Sequence, residues 1–279
     1  KKLPKTRTKI MVNIGSPDEA FKNHFLPVLG VGLAREEFII ASQIKIHPKA
    51  LINYKKIGKS LKKQIEKETI GYQDKTEYFV EKLSFGISKI AAAFWPYQVI
   101  VRFSDFKSNE YKSLLGGELY EPVEQNPMLG WRGASRYYDK KFSDAFRLEL
   151  KAFKRVRDKI GLLNVVAMIP FVRTSVDLKK VLKIMEEGGL KRDTSHNANC
   201  YKEVEECPHF RVYMMCEVPS NAILVDEFLD LVDGYSIGSN DLTQLTLGLD
   251  RDSNIISQIG DENDKAVRVL IKNVIEKCN

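Results

Sequence analysis

Four arginines stand where a short apolar run gives out: Arg35 after "GVGLA", Arg102 after "QVIV", Arg132 within "MLGWRGAS" and Arg173 after "NVVAMIPFV". A guanidinium presents a planar fork of donors matched to carboxylate and phosphate oxygens, and it keeps its charge in any protein environment. An internal Asp or Glu accounts for any single arginine. Four at equivalent points along the chain predict a site for a ligand with several negative charges. Glu217 in "MMCEVP" and Asp241 in "IGSND" close the last two apolar runs, and Asp105 and Asn240 fall at the same kind of position. Paired carboxylates there either neutralise the arginines or hold a hard divalent ion. Mg2+ fits best because it leaves coordination positions open to substrate oxygens, but spacing alone does not separate the two alternatives.

Residues so placed need a scaffold that gathers strand ends. Seven runs read as candidate strands: 9 to 15, 30 to 35, 98 to 105, 128 to 135, 164 to 172, 211 to 219 and 234 to 241. They are short, rich in β-branched residues and apolar on both faces, and amphipathic helical patterns separate them. That alternation predicts an α/β fold with a parallel sheet, either doubly wound or a (β/α)8 barrel, and in both the chemistry gathers at the carboxyl ends of the strands. Two stretches interrupt the pattern: long helical segments at about 45–95, and a polar loop at 188–210. The loop holds His196, Cys200, Cys207 and His209 at a spacing that matches no standard zinc pattern.

Composition excludes several classes. The chain has 279 residues, is 43% hydrophobic, and has no apolar run near the roughly 20 residues of a membrane span. Its four cysteines are irregularly spaced, which predicts a reducing, cytoplasmic setting rather than a disulfide framework. The net charge of +7 comes mostly from lysines on helical faces such as "NYKKIGKSLKKQIEK", so neither nucleic acid nor a membrane is an expected partner. The opening "KKLPKTRTK" has no initiator Met, and the chain reads as part of something longer.

Six segments in order, "GVGLAREEF", "VIVRFSDFKSNEY", "NPMLGWRGASR", "PFVRT", "MMCEVPSNA" and "GYSIGSNDLTQLTLGLDRDS", resemble the successive signatures of the phosphoenolpyruvate-binding barrel of the phosphoenolpyruvate-utilising enzymes. The resemblance runs from about residue 10 to the end. It implies a (β/α)8 barrel domain over 1–279, broken off before the eighth strand, with a helical insertion at about 45–95. It also implies pyruvate or phosphoenolpyruvate as ligand. Arg35, Arg102 and Arg132, with Gly238, Ser239 and Asn240, would then bind substrate, and Glu217 and Asp241 would hold Mg2+ while also touching it.

Within the family, "VRFSDFKSNEY" resembles the synthase branch. That branch converts ATP, pyruvate and water to AMP, phosphoenolpyruvate and phosphate through a phosphohistidine carried on another domain of the full-length chain. The dikinase branch is the nearer rival, and a non-catalytic scaffold barrel is the alternative of another class. A homodimer is the expected assembly. The family's catalytic thiol belongs to a Cys-Gly motif, expected beyond Asn279, and Cys278 lacks the following Gly, so no catalytic residue is assigned within this chain.

Overall fold

Short runs that are apolar on both faces suit a covered parallel sheet, and six of the seven contribute a strand to one. The computed structural model describes residues 6–194, 209–250, 253–256 and 260–279. Its strands are β1 (Val12–Ile14), β2 (Val31–Arg35), β3 (Val99–Arg102), β4 (Val165–Ile169), β5 (Val212–Cys216) and β6 (Gly234–Ile237). Each pairs in parallel with the next in sequence, and the sheet curls into a half-barrel with β1 and β6 at its edges.

Helices fill the crossovers. Helix α1 (Pro17–Asn23) follows β1, and α2 (Glu36–Ile39), α3 (Pro48–Ile52), α4 (Lys59–Glu68) and α5 (Lys75–Ala93) lie between β2 and β3. The β3 to β4 connection carries α6 (Ser108–Lys112), α7 (Ala134–Tyr137) and α8 (Ser143–Lys154), and α9 (Ser175–Glu187) leads to β5. Helices α10 (Pro219–Ile223) and α11 (Val225–Leu229) precede β6, and α12 (Ser239–Leu247) and α13 (Lys265–Cys278) follow it. In the stretch 45–95, the long helix α5 is capped by Asp74, whose Oδ1 accepts from Thr76 N at 2.8 Å, and it packs on α1 and α8 as part of the covering layer.

The run at 128–135, expected as a strand, is not one, so the sheet has six strands among the described residues rather than seven. Leu129 is 53% exposed, and Gly133 takes φ +55° where an added Cβ would lie 2.6 Å from both Pro170 O and Phe171 Cβ. Ala134 N donates to Pro170 O at 3.1 Å. The segment therefore crosses over the end of β4, with its glycine as the contact, and runs into α7 instead of pairing edge to edge.

The strand period of two decides what faces inward. Val99, Val101, Val165, Ala167, Ile169, Val212 and Met214 join Phe79, Leu83, Phe146 and Phe153 in the large core between sheet and helices. On the concave side Ile100, Val166, Met168 and Met215 form a small second cluster with Leu33 and Tyr213 against it. Leu33 and Arg35, Ile100 and Arg102, and Met215 and Glu217 are each two residues apart. The charged residues therefore stand directly above an apolar floor.

Behind the ends of β2 and β3 lies a buried carboxyl pair, Glu36 of α2 and Glu149 of α8, both with no exposed surface. Glu149 accepts from Ser104 N at 3.1 Å and Ser104 Oγ at 2.6 Å, and Tyr137 Oη donates to Ser104 O at 2.6 Å. Burial pushes Glu149 up to about 7 despite the two Ser104 donors, and burial and then the Glu149 charge push Glu36 well above the carboxylate range. The folded chain thus keeps protons that the unfolded chain loses above about pH 4.5, so the stability this pair contributes is present in acid and lost as pH rises through 7. Glu36→Gln keeps the shape and a hydrogen-bond donor while removing one ionisation. Thermal unfolding of this variant is expected to lose less stability than wild type between about pH 5 and pH 8. Parallel profiles for the two proteins would contradict the linkage of this pair to stability.

Candidate functional site

Strand register brings the charged residues together. Arg35 of β2 pairs with Arg102 of β3, and Cys216 of β5 pairs with Ile237 of β6, which sets Glu217 beside Gly238. The strand ends open into a cavity of about 730 Å³ lined by Arg35, Glu37, Arg102, Asp105, Arg132, Glu217 and the Gly238–Asp241 turn. Of the residues singled out in the sequence, Arg35, Arg102, Arg132, Glu217, Gly238, Ser239, Asn240 and Asp241 all border this cavity. Arg173 does not. Its Nη2 donates to Leu129 O at 3.0 Å and Gly130 O at 2.7 Å, and its Nη1 to Ser135 Oγ at 3.2 Å, so it holds the 128–135 loop in place.

At the centre, one oxygen each of Asp105, Glu217 and Asp241 lies within 4.8 Å of the others, and all three residues are buried. Among the described residues this is the one cluster of three acidic, His or Cys side chains close enough to hold a metal ion. Arg132, 3% exposed, binds two of them. Its Nε donates to Asp105 Oδ1 at 3.0 Å, and its Nη2 donates to Asp105 Oδ2 at 2.6 Å and Asp241 Oδ2 at 3.2 Å. Its guanidinium also stacks on Phe171, 4.0 Å from the ring centroid. Arg102 pairs with Glu37 and stands 3.7 Å from Asp105 Oδ2. Burial works against charge on both arginines, but Glu37 and Asp105 around Arg102, and Asp105 and Asp241 around Arg132, outweigh it and hold both firmly protonated.

Glu217 is held differently. Phe171, with φ +47°, donates its backbone N–H to Glu217 Oε1 at 2.7 Å. Asn221 Oδ1 accepts from Glu217 N at 3.3 Å and Val218 N at 3.0 Å, fixing the turn into α10. The other oxygen, Oε2, lies toward Gly238, where an added Cβ would stand 3.0 Å from it and 2.9 Å from Glu217 Cβ. Burial first, then repulsion from Asp105, pushes Glu217 up to about 8, because no arginine fork neutralises it directly. A divalent cation at the three oxygens would reverse that preference, and an all-carboxylate donor set suits a hard ion such as Mg2+.

Arg35 is the exception among the cavity arginines. Its guanidinium stacks on Phe38 at 4.4 Å and, among the described residues, has no hydrogen bond or ion pair. Burial lowers its pKa. A cation so placed is available to an anionic ligand.

Three participants were not assigned roles from sequence. Asp105 was visible at a strand end, three residues after Arg102, without being grouped with Glu217 and Asp241. Glu37 is signalled only by the acidic pair after Arg35, and Phe171 by nothing in its residue type. The His196, Cys200 and Cys207 positions lie outside the described residues, and His209 hydrogen-bonds Asp193. Cys278 ends α13 and is not among the residues lining the cavity. No helix among the described residues is long and apolar enough to cross a membrane.

A family model described as PEP-utilising enzyme, PEP-binding domain, matches residues 2–279. The chain belongs to the PEP-utilising enzyme family. The chain is 53% identical over 277 residues to a phosphoenolpyruvate synthase of Pseudomonas aeruginosa, an alignment covering 99% of this chain and 33% of that protein. It is 47% identical to a phosphoenolpyruvate synthase of Aquifex aeolicus, covering 98% of this chain and 36% of the relative. The phosphoenolpyruvate synthase of Escherichia coli K12 is 48% identical, with 98% of this chain and 33% of the relative covered. The chain thus spans about a third of the length of these curated relatives.

The Arg132 pairing yields a stability prediction. Arg132→Ala would leave Asp105 and Asp241 buried without their shared cation, and removing one partner of a buried ion pair costs about 3–5 kcal/mol. Urea unfolding is expected to register a loss of that order. A loss below about 1 kcal/mol, the range of an exposed pair, would contradict the assignment of Arg132 as the charge that holds the cluster together.

Proposed function

We propose that this chain is the substrate-binding barrel portion of a phosphoenolpyruvate synthase, which binds pyruvate or phosphoenolpyruvate together with Mg2+. In the whole enzyme the phosphoryl group passes between this site and a phosphohistidine on another domain, with ATP, pyruvate and water giving AMP, phosphoenolpyruvate and phosphate. The observation that carries the reading is the cluster of Asp105, Glu217 and Asp241 at the strand ends, facing a cavity in which Arg35 makes no hydrogen bond or ion pair among the described residues. Relatives named phosphoenolpyruvate synthase support that branch over the dikinase.

Each residue then has a defined task. Glu217 and Asp241 would hold Mg2+, with Asp105 beside them already committed to Arg132. The ion, when bound, supplies Lewis-acid stabilisation for charge that develops on a substrate oxygen. Arg35 and Arg102 orient the carboxylate and phosphoryl oxygens. The Gly238–Asn240 turn offers backbone and amide donors at the opening of α12. Cations fixed before substrate arrives stabilise the charge-separated transition state without reorganising at the moment of reaction.

Titration calorimetry with oxalate, a planar dianion that mimics the enolate of pyruvate, tests the reading. Mg2+-dependent binding is expected, and Asp241→Asn should remove the Mg2+ dependence. Binding that is the same in Mg2+ and in chelator, or no binding at all, would favour the scaffold alternative. Gly238→Ala provides a steric test: its new Cβ would crowd Glu217 from 2.9 Å, so Mg2+-dependent affinity should fall about tenfold or more while the fold persists. Unchanged affinity in that variant would remove Glu217 from the ligand set.

A further inference from the structure

Arg102 is pulled from two sides. One Nη2 hydrogen bond goes to Glu37 Oε1, while Nη1 stands 3.7 Å from Asp105 Oδ2 at the edge of the carboxylate cluster. The pairing with Glu37 is monodentate and incomplete. Arg102 Nε and Glu37 Oε2 are both buried without a hydrogen-bond partner, although a full fork would have satisfied them together. Buried donors and acceptors are seldom left in that state unless a third party completes them.

Resting on the proposed function, we infer that Glu37 is a positioning residue that holds the Arg102 guanidinium away from Asp105, Glu217 and Asp241 and turns its remaining donors toward an anionic ligand. The electrostatics favour this role. Glu37 is the strongest attraction on Arg102, ahead of Asp105 and then Glu217, so removing it leaves only the cluster to attract the arginine. Arg102 would then swing onto carboxylates that the cation needs. The geometry also accounts for the location of Glu37 at the start of α2, two residues after Arg35, where one turn of chain fixes both arginine environments.

The test is calorimetry of Mg2+ and oxalate on this chain, with thermal unfolding as the check on folding. Glu37→Gln keeps an acceptor oxygen at the same reach but loses the charge that draws Arg102, and should weaken binding less than Glu37→Ala does. Glu37→Ala, and Glu37→Asp, which keeps the charge but falls one methylene short, should each weaken binding about tenfold or more, the scale of a lost charge-assisted hydrogen bond. Raising Mg2+ should recover part of the loss in Glu37→Ala, because arginine and cation compete for the same carboxylates. A merely structural role would not produce that recovery. Arg102→Lys should also cost much less in the Glu37→Ala background than in wild type.

Oxalate affinity in Glu37→Ala equal to or tighter than wild type would overturn the inference and make Glu37 a competitor of the ligand. Should Glu37→Ala fail to fold, wild-type affinity in both Glu37→Asp and Glu37→Gln would overturn it instead. Absence of binding in the wild-type chain would defeat the functional reading and this inference with it. Wild-type binding that is weakened by Arg35→Ala but untouched by Glu37→Ala would overturn this inference alone.

Discussion

Three carboxylates whose oxygens approach within 4.8 Å in a buried setting repel one another, and the architecture around them answers that repulsion. Arg132 cannot be replaced by a surface group, because it is threaded into the cluster from the 128–135 loop. That loop is in turn pinned by Gly133 against Pro170 and Phe171, and by Arg173 through its carbonyls. Phe171 joins the two halves: its N–H restrains Glu217, and its ring packs against the guanidinium groups of Arg132 at 4.0 Å and Arg173 at 4.7 Å. A bulky residue at φ +47° is a conformation that persists only where its surroundings over-determine it, and such positions gather at functional sites. Arg102 and Arg132 leave part of the cluster's charge unanswered. Glu217 carries that remainder, which is why burial and its neighbours press it toward the protonated form.

This arrangement does not serve stability. Ionised groups above the floor of Ile100, Val166, Met168 and Met215 cost more than apolar residues of similar volume would, and the stability is supplied elsewhere, in the aromatic and aliphatic layer between sheet and helices. The division follows the strand period. Side chains pointing out build the core, side chains pointing in set the floor, and the next inward positions after Leu33, Ile100 and Met215 carry Arg35, Arg102 and Glu217. These three cavity-facing residues are each one step from a packed one, which restrains them.

The sequence made much of this legible because strand ends are marked by composition. Arg35, Arg102, Glu217 and Asp241 each terminate an apolar run, and runs of that kind became β2, β3, β5 and β6. The run at 128–135 failed as a strand because apolar content does not distinguish a residue facing a neighbouring strand from one facing across a strand end. Its Gly130 and Gly133 were the turn signal, outweighed by Met128, Leu129 and Trp131. Glu37 and Phe171 were illegible for a different reason. Their roles depend on where a guanidinium 65 residues away points and on a backbone dihedral, and neither leaves a trace in residue type.

The central claim is that the carboxylate cluster is a cation site completed by an anionic ligand. Crystals of this chain grown with Mn2+ and oxalate, measured at the manganese absorption edge, test it most directly. The account predicts one anomalous peak directly ligated by Glu217 and Asp241 oxygens, with oxalate bridging from the ion toward Arg35 and Arg102. An ion bound elsewhere, or well-ordered oxalate in the cavity with no ion between it and the carboxylates, would contradict it.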